Sequence, residues 1–350
     1  MRKRIIIIVI CLFWYIPAYA VVVSGLYDAE VPVADQSAKS YKSGLAKAMI
    51  DVLVKLTGDR NVQGRQVASA LVEHPEKYVQ QYEYRNKPVF KDNQLSLEQQ
   101  LYLWVNFSPE ALDKALREYG VPLWGRVRPA TLLWLVVSDN GRRDFIGLED
   151  EKGYTALMDS YAQSRGIVLI HPLLDNRDRQ MLEPADIWGG FMEPVEQASA
   201  RYSPDTILTG SIEHMLPEDI WKSHWSALIG GETQTWDAQG NDVATVLQQG
   251  IDMLTDLLAE RYVQTSTYAA GTDVKVVVKD VDNFDDYSTV LKYLRSLNSV
   301  TNVDVTTVET GSVTFDITVT GGAPAVQRVI ELGQILQPIT GGGTVYRLIH

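Results

Sequence analysis

From Ser37 onward the apolar residues Tyr41, Leu45, Ala48, Val52 and Leu56 recur every three or four positions, and Met49 and Leu53 widen the stripe. That period puts them on one face of an α-helix. Asp35 or Ser37 is placed to cap its start, and Gly58 to terminate it. A short strand, Val21–Leu26, is predicted before it, and a second helical stretch, His74–Tyr84, after it through Tyr78, Val79 and Tyr82. In "KPVFKDNQLSLEQQLYLWVNF" the period drops to two. Leu95, Leu97, Leu101, Leu103 and Val105 supply much of one face, and Asp92-Asn93 makes the turn of a hairpin. Pro109 opens a short helix closed by Gly120. Residues 21–120 therefore read as an N-terminal α+β module, one long helix against a small antiparallel sheet.

The next stretch, 121–262, follows a different pattern. "ATLLWLVVSD" is a continuous apolar run, as a strand buried on both faces requires. A helix over Glu151–Arg165, a second buried strand "GIVLIHP", a helix over about Ile187–Arg201 and a third strand "DTILTGSIEHM" follow. Strands alternating with helices predict an α/β layer with parallel pairing. "WKSHWSALIGG" and "ETQTWDAQGND" read as antiparallel strands ending in an Ala238-Gln239-Gly240 turn. A helix over Asp242–Tyr262 closes the module, with Val246, Ile251, Leu254, Leu257 and Leu258 inward.

"VQTSTYAAGT" (263–272) is small, polar and contains glycine, the composition of a linker. Beyond it the pattern predicts a strand (Val274–Val278), a helix (Tyr287–Leu297), a hairpin across Gly311, a helix (Pro324–Leu336) and a last strand, "TVYRLI". That is the βαββαβ order of a ferredoxin-like module over 273–350. The expected fold is thus multi-domain, α+β and α/β: an N-terminal helix-on-sheet module, a central α/β module of the three-layer type and a C-terminal ferredoxin-like module.

The first residues decide the compartment. Arg2, Lys3 and Arg4 precede an apolar stretch, Ile5–Ile16, then Pro17 and Ala18-Tyr19-Ala20. A positive start, an apolar core and small residues three and one positions before a cut form a secretory signal, with cleavage expected after Ala20. The rival reading is an inner-membrane anchor over residues 5–26, since Ile5 to Leu26 is 22 residues without charge and about 20 apolar residues span a bilayer. Pro17 and Tyr19 interrupt that run. Cys11, the chain's single cysteine, sits mid-core behind Ile8-Val9-Ile10, where it reads as a small apolar residue of a discarded helix. With 1–20 removed, no thiol is left for a disulfide, a nucleophile or a metal site.

Composition narrows the partners. The whole chain carries a net charge of −12, and loss of residues 1–20 removes three basic residues and no acidic one, leaving 29 basic against 44 acidic. Such a chain repels nucleic acid and anionic lipid and has no basic run to offset this. The apolar fraction of 45% is that of a globular protein.

Four stretches carry a family likeness: "VSGLYDAEVPVADQS" continuing into "AKSYKSGLAKAMIDVLVKLTGDRNV", "LLWLVVSDNGRR", "ASARYSPDTILTGSI" with Trp221 and Trp225 after it, and "VDNFDDYSTVLKYLRSLNSVTNVDV". With them the chain resembles a family of proteobacterial exported proteins known as domain of unknown function twenty sixty-six. The resemblance implies export and supplies no activity and no catalytic residues. The order of segments is also similar to envelope accessory proteins of the TolB-N-terminal, curli-secretion and flagellar-assembly type, which implies interaction without catalysis.

Enzyme signatures are sparse. The sequence has no G-x-S-x-G elbow, no H-E-x-x-H, no G-x-x-x-x-G-K-[ST] and no G-x-G-x-x-G after a strand. The glycine pairs at 189–190, 230–231 and 321–322 and the run Gly341–Gly343 read as turns. His214 and His224 approach each other if their strands pair, with Glu213 or Glu218 as an oxygen ligand, but a metal centre needs three or four converging groups. Strand-end histidines explain them as well, so neither metal nor cofactor is expected. "SDNGRRD" is the densest polar cluster. It follows the first buried strand, and open α/β sheets bind ligands outside the carboxyl ends of their strands. Asp139, Asn140, Arg142, Arg143 and Asp144 are therefore candidates to line a cleft with Asp175 and Arg177, against the plain reading of Asn140-Gly141 as a tight turn. Trp188, Trp221, Trp225 and Trp236 fall in one half of the module. Trp225 and Trp236 fit cross-strand packing, which leaves Trp188 and Trp221 as a candidate aromatic surface.

These features predict a non-catalytic periplasmic protein acting through contacts with envelope proteins, in assembly or maintenance of the envelope. A peptidoglycan- or glycan-binding module is the alternative. A hydrolase using Asp139 and Asp175 is a third class, and it requires one carboxyl with a raised pKa.

Overall fold

The computed structural model describes residues 23–91, 94–126, 128–139, 141–150, 152–263, 272–297, 300–319, 327, 330, 335–339 and 344–349, with backbone alone at 88–91, 94–98, 139, 272 and 301. The expected export signal with Cys11, the Asp92-Asn93 turn, Asn140 and most of the 263–272 linker lie outside these residues. Among the described residues the fold is mixed α and β, with three sheets.

The first described strand, β1, is Asp28–Pro32; of the strand predicted over Val21–Leu26, residues 23–26 are not in a strand and 21–22 lie outside the described residues. Within it Ala29 and Val31 point inward and alternate with Asp28 and Glu30. Helix α1, Ala38–Thr57, has the predicted limits: Ser37 Oγ accepts from Ser40 N, and Gly58 ends it in the left-handed region. After α2, Gln66–Glu73, the predicted helix over 74–84 gives way to a single 3-10 turn, Pro75–Tyr78, and then to strand β2, Val79–Lys91. The error was one of period. Tyr78 and Tyr82 are four apart, as on a helix, but Tyr82 and Tyr84 are two apart and stand opposite Val105 and Leu103. Those partners lie in β3, Gln94–Phe107, which pairs antiparallel with both β1 and β2. Helix α3, Pro109–Glu118, starts at Ser108, whose hydroxyl accepts from Ala111 N.

The central sheet is built on β4, Ala130–Asp139, and β5, Arg142–Ile146, which forms an antiparallel hairpin with it. Helix α4, Tyr154–Arg165, leads to β6, Val168–Ile170, parallel to the first residues of β4. In place of one helix over 187–201, three short ones follow: α5 (Asn176–Met181), α6 (Pro184–Gly189) and α7 (Met192–Ser199). Pro184 and the left-handed Gly190 cut the run. Strand β7, Thr206–Met215, returns parallel to β4, and β8 (Ile220–Ile229) and β9 (Glu232–Gly240) continue antiparallel. The order is β5-β4-β7-β8-β9, with β6 on the edge of β4 that β5 also uses. Residues 238–240 belong to β9, not to a turn.

Helix α8, Val243–Tyr262, is capped by Asp242 and packs with α4 over one face of this sheet around Leu208, Ile212 and Trp225. Helices α6 and α7 cover part of the other face around Leu132, Trp134 and Val136. Trp225 is wholly buried because two glycines make room for its indole. A Cβ on Gly210 of β7 would lie 2.4 Å from the ring, and one on Gly250 of α8 would lie 2.3 Å away.

The last sheet comprises β10 (Thr272–Val281), β11 (Val300–Glu309), β12 (Gly311–Val319), β13 (Leu336–Pro338) and β14 (Val345–Leu348), in the order β11-β12-β10-β14-β13. Helix α9, Phe284–Ser296, buries Val290 and Leu294 against it. Most of the helix predicted over 324–336 lies outside the described residues, and Leu336 is the first residue of β13.

A polar joint connects the first two sheets. The Arg165 guanidinium, 5% exposed, donates to Asp252 Oδ1 at 2.7 Å, to Asp256 Oδ1 at 2.7 Å and to the Gly58 carbonyl at 3.0 Å. Trp124 N donates to the Leu56 carbonyl at 2.7 Å, and Arg128 lies over the Trp124 ring at 3.8 Å while donating to the Lys55 carbonyl. Gly58 has φ +72°, and a Cβ there would sit 2.5 Å from Ala259. Its conformation and its close contact both require glycine.

Candidate functional site

Strands alternate their side chains between the two faces of a sheet, so register decides what the central strands present. On the face opposite α8, β7, β8 and β9 place Ser211, His224 and Asp237 in one row and Glu213, Lys222 and Gln239 in the next. With Trp188 of α6 these residues line an open cleft of about 420 Å³. The His224 Nδ1 and Asp237 Oδ1 atoms are 2.8 Å apart, and the Asp237 side chain is 83% exposed.

A second cleft, about 580 Å³, opens at the carboxyl ends of β4 and β7. Val137, Lys152, Tyr154, His214, Leu216 and Trp221 line it, and Glu213 borders both clefts. His214 and Trp221 are register partners whose rings stack at 4.7 Å and 8°, and His214 Nε2 lies 2.8 Å from Asp219 Oδ1. Register explains why the two histidines do not converge. His224 faces Ser211, whereas His214, three residues along β7, projects from the opposite face. Among the described residues no group of three or more His, Cys, Asp or Glu is arranged to hold a metal.

The cleft expected from "SDNGRRD" together with Asp175 and Arg177 does not assemble. Asp139 is the last residue of β4, opposite Arg142, so the chain turns straight back along β5. Asp175 belongs to the other end of that hairpin, where a Cβ on Gly147 would lie 2.6 Å from Leu174. Arg142 and Ile146 are four residues apart in β5, about 13 Å at ~3.3 Å per residue. The expectation took the buried strand to end in an open loop. Arg142, Arg143 and Asp144, three charges in five residues, gave no sign of a strand. Arg142 Nε instead pairs with Asp144 at 2.7 Å, both side chains being exposed. Asn140 lies outside the described residues.

Asp175 caps α5, accepting from the backbone of Arg177 and Asp178, and Arg201 donates to both of its oxygens at 2.8 and 3.0 Å. The Arg201 hydrogen bonds, with those from the Asp178 and Arg177 backbone, hold its carboxyl down at about 2. Buried Asp178 takes Arg201 at 3.0 Å and the Tyr202 hydroxyl at 2.5 Å. Burial, then that hydrogen bond, pushes Tyr202 up to about 12. Nothing in the local sequence pairs 175 or 178 with 201; the pairing follows from the three short helices folding back on one another.

The aromatic surface also divides. Trp188 packs on the α6–α7 side and Trp221 on the α4–α8 side: alternation along β8 turns Trp221 towards α8, while Trp188 belongs to α6, which covers the other face. Arg143 and Trp188, by contrast, do meet: the guanidinium lies 4.1 Å from the indole centroid. One further cleft has no counterpart among the sequence-predicted candidates. About 640 Å³ separates the outer face of the first sheet from α4, where Arg85 lies 4.6 Å over Trp104 and Glu30 takes Lys87.

Residues 20–125 match the model of a family described as "Domain of unknown function (DUF8605)". No curated protein matches the chain significantly. Among solved structures, the chain is similar to the LpoB C-terminal domain from Salmonella enterica, at 15% identity over 37% of this chain and 93% of that one, with a TM-score of 0.24. It is also similar to a competence-damaged protein (CinA) superfamily protein from Enterobacter cloacae, at 12% identity over 43% of this chain and 88% of that one, with a TM-score of 0.23. No function is carried over from likenesses of this size. Among the described residues no helix is long and apolar enough to cross a membrane.

Proposed function

We propose that this chain is a non-catalytic periplasmic protein that acts through contacts with envelope proteins in envelope assembly or maintenance. The observation that carries this reading is the open polar face of β7–β9 beside Trp188. A face of fixed hydrogen-bonding groups, with histidine and carboxylate already paired, next to a half-buried aromatic has the make-up of a contact surface. The N-terminal signal pattern supports export, with cleavage after Ala20, and the resemblance of most of the mature chain to domain of unknown function twenty sixty-six is in keeping with it. In this reading the central sheet is a three-layer-type module and β10–β14 with α9 form a ferredoxin-like one, joined by the 263–272 linker. Cross-linking in intact cells, followed by identification of what is attached to the chain, tests it. Envelope proteins are the expected product, and recovery of none above background overturns the reading.

A glycan-binding role is favoured by one specific observation: Trp188 and Trp221 each border a cleft with polar walls. Co-sedimentation with purified sacculi separates the two readings. The glycan reading expects the protein in the pellet, and full retention in the supernatant removes it.

A further inference from the structure

Unpaired sheet edges are templates for another strand, and folded proteins blunt them by shortness, proline, lysine or bulges. Every sheet edge of this protein but one shows such a device among the described residues. β1 has five residues and ends in Pro32. β2 carries Lys87 and Pro88 and two register shifts, and β11 has two register shifts against β12. β5 has five residues, β6 three, and β13 three ending in Pro338. β9 is the exception. Its nine residues, "ETQTWDAQG", contain no proline and no lysine and pair with β8 without a register shift.

The two-residue turn at Gly230 and Gly231, both in the left-handed region, makes Ile229 and Glu232 a hydrogen-bonded pair. Hydrogen bonding alternates along an antiparallel strand, so the backbone groups of Thr233, Thr235, Asp237 and Gln239 point away from β8. All four residues are exposed. Their side chains lie on the open face, Asp237 and Gln239 in the wall of the Trp188 cleft. The intervening Trp236 turns towards α8, where it stacks on Trp225 at 6.5 Å.

The geometry points to β9 as a docking edge for an extended segment of a partner protein, carrying lysine or arginine at alternate positions. This rests on the protein-contact reading above and names the element that makes the contact. Charge selects the occupant: β9 carries Asp237 on the open face and Glu232 on the other, has no basic residue, and is followed by Asp242. Opposite charges directly across a strand pair attract and like charges repel. Basic residues of the added strand lie beside Asp237 on the open face, and small apolar residues alternate with them towards Trp236. An acidic second copy of β9 does not meet this requirement.

The probe is a blocked heptapeptide, acetyl-Thr-Lys-Val-Lys-Val-Lys-Thr-amide, titrated into the mature chain and followed by calorimetry and backbone amide shifts. A glutamate-for-lysine peptide and a lysine peptide N-methylated on alternate amides serve as controls. Binding is expected to shift Thr233–Gln239 and to weaken at least tenfold in both controls. Thr235→Pro removes an edge-facing N–H and no internal ladder bond, so it keeps the wild-type circular dichroism and loses at least tenfold in affinity. Asp237→Lys, a surface change, reverses the preference between the lysine and glutamate peptides. Equal binding of the two peptides, no binding of either, or undiminished binding by Thr235→Pro overturns the proposal. So does a wild-type dimer split by Thr235→Pro, which makes a second copy the occupant. If Asp237→Lys still cross-links to envelope proteins as the wild type does, β9 is not the contact and the envelope reading stands without it.

Discussion

The two faces of the central sheet are made from the same strands and do opposite things. Towards α8, β8 presents Ser223, Trp225, Ala227 and Ile229, all buried. Away from α8 it presents Lys222 and His224, both exposed. One face is packed until glycine is required on both sides of an indole. The other is covered by α6 and α7 around β4 and is open over β7–β9, where His224 and Asp237 pair across the strands. Side-chain alternation alone makes this division, and it separates the stability of the fold from its contact chemistry along a single strand.

The largest effect that tests this contrast is expected from Trp225→Ala, which should cost about 3–5 kcal/mol in urea unfolding. His224→Ala, one residue away, should change stability by less than about 0.5 kcal/mol. Similar values for the two would mean that the open face is structural. Next is the fit around the indole: Gly250→Ala should cost about 1–3 kcal/mol by overpacking. Pairing it with Trp225→Leu should recover part of the loss, since room is then available.

Much of this contrast can be read from the chain. The helical stripes, the cap at Ser37 and the buried run of β4 are local signals, and each lies where its residues put it. β5 leaves no local signal, because an edge strand needs no apolar alternation and Arg142 and Arg143 are tolerated where one side faces solvent. β2 resembles a helix through a tyrosine spacing that both periods satisfy. For the site, the Gly230-Gly231 turn sets the pairing of His224 with Asp237 by register, so that contact was legible. Arg143 on Trp188 and Arg201 on Asp175 were not, since they arise where separate elements pack.

A smaller effect concerns the rim of the open face. Arg143 and Trp188 should show a coupling of about 0.5–1 kcal/mol in a double-mutant cycle. No coupling would reduce their contact to proximity. The last expectation is silent at neutral pH. The Asp175 carboxyl is held at about 2 in the folded protein against about 3.9 when unfolded. Its contribution is therefore complete above pH ~4–5 and lost as pH falls through 2. Asp175→Asn, which can still cap α5, should flatten the fall in stability between pH ~4 and 2. An unchanged acid limb would show that Arg201 does not hold Asp175 in solution.

The joint around Arg165 bears on how parts of this protein can be exchanged. The family match ends at residue 125, one residue past Trp124, and the groups that receive that segment belong to α4 and α8. A graft of residues 20–125 into another chain would bring Gly58 and Arg60 without the arginine and two aspartates that meet them. Relatives that keep the first sheet while replacing the second are thus expected to have altered positions 58, 165, 252 and 256 together, as a single inherited unit.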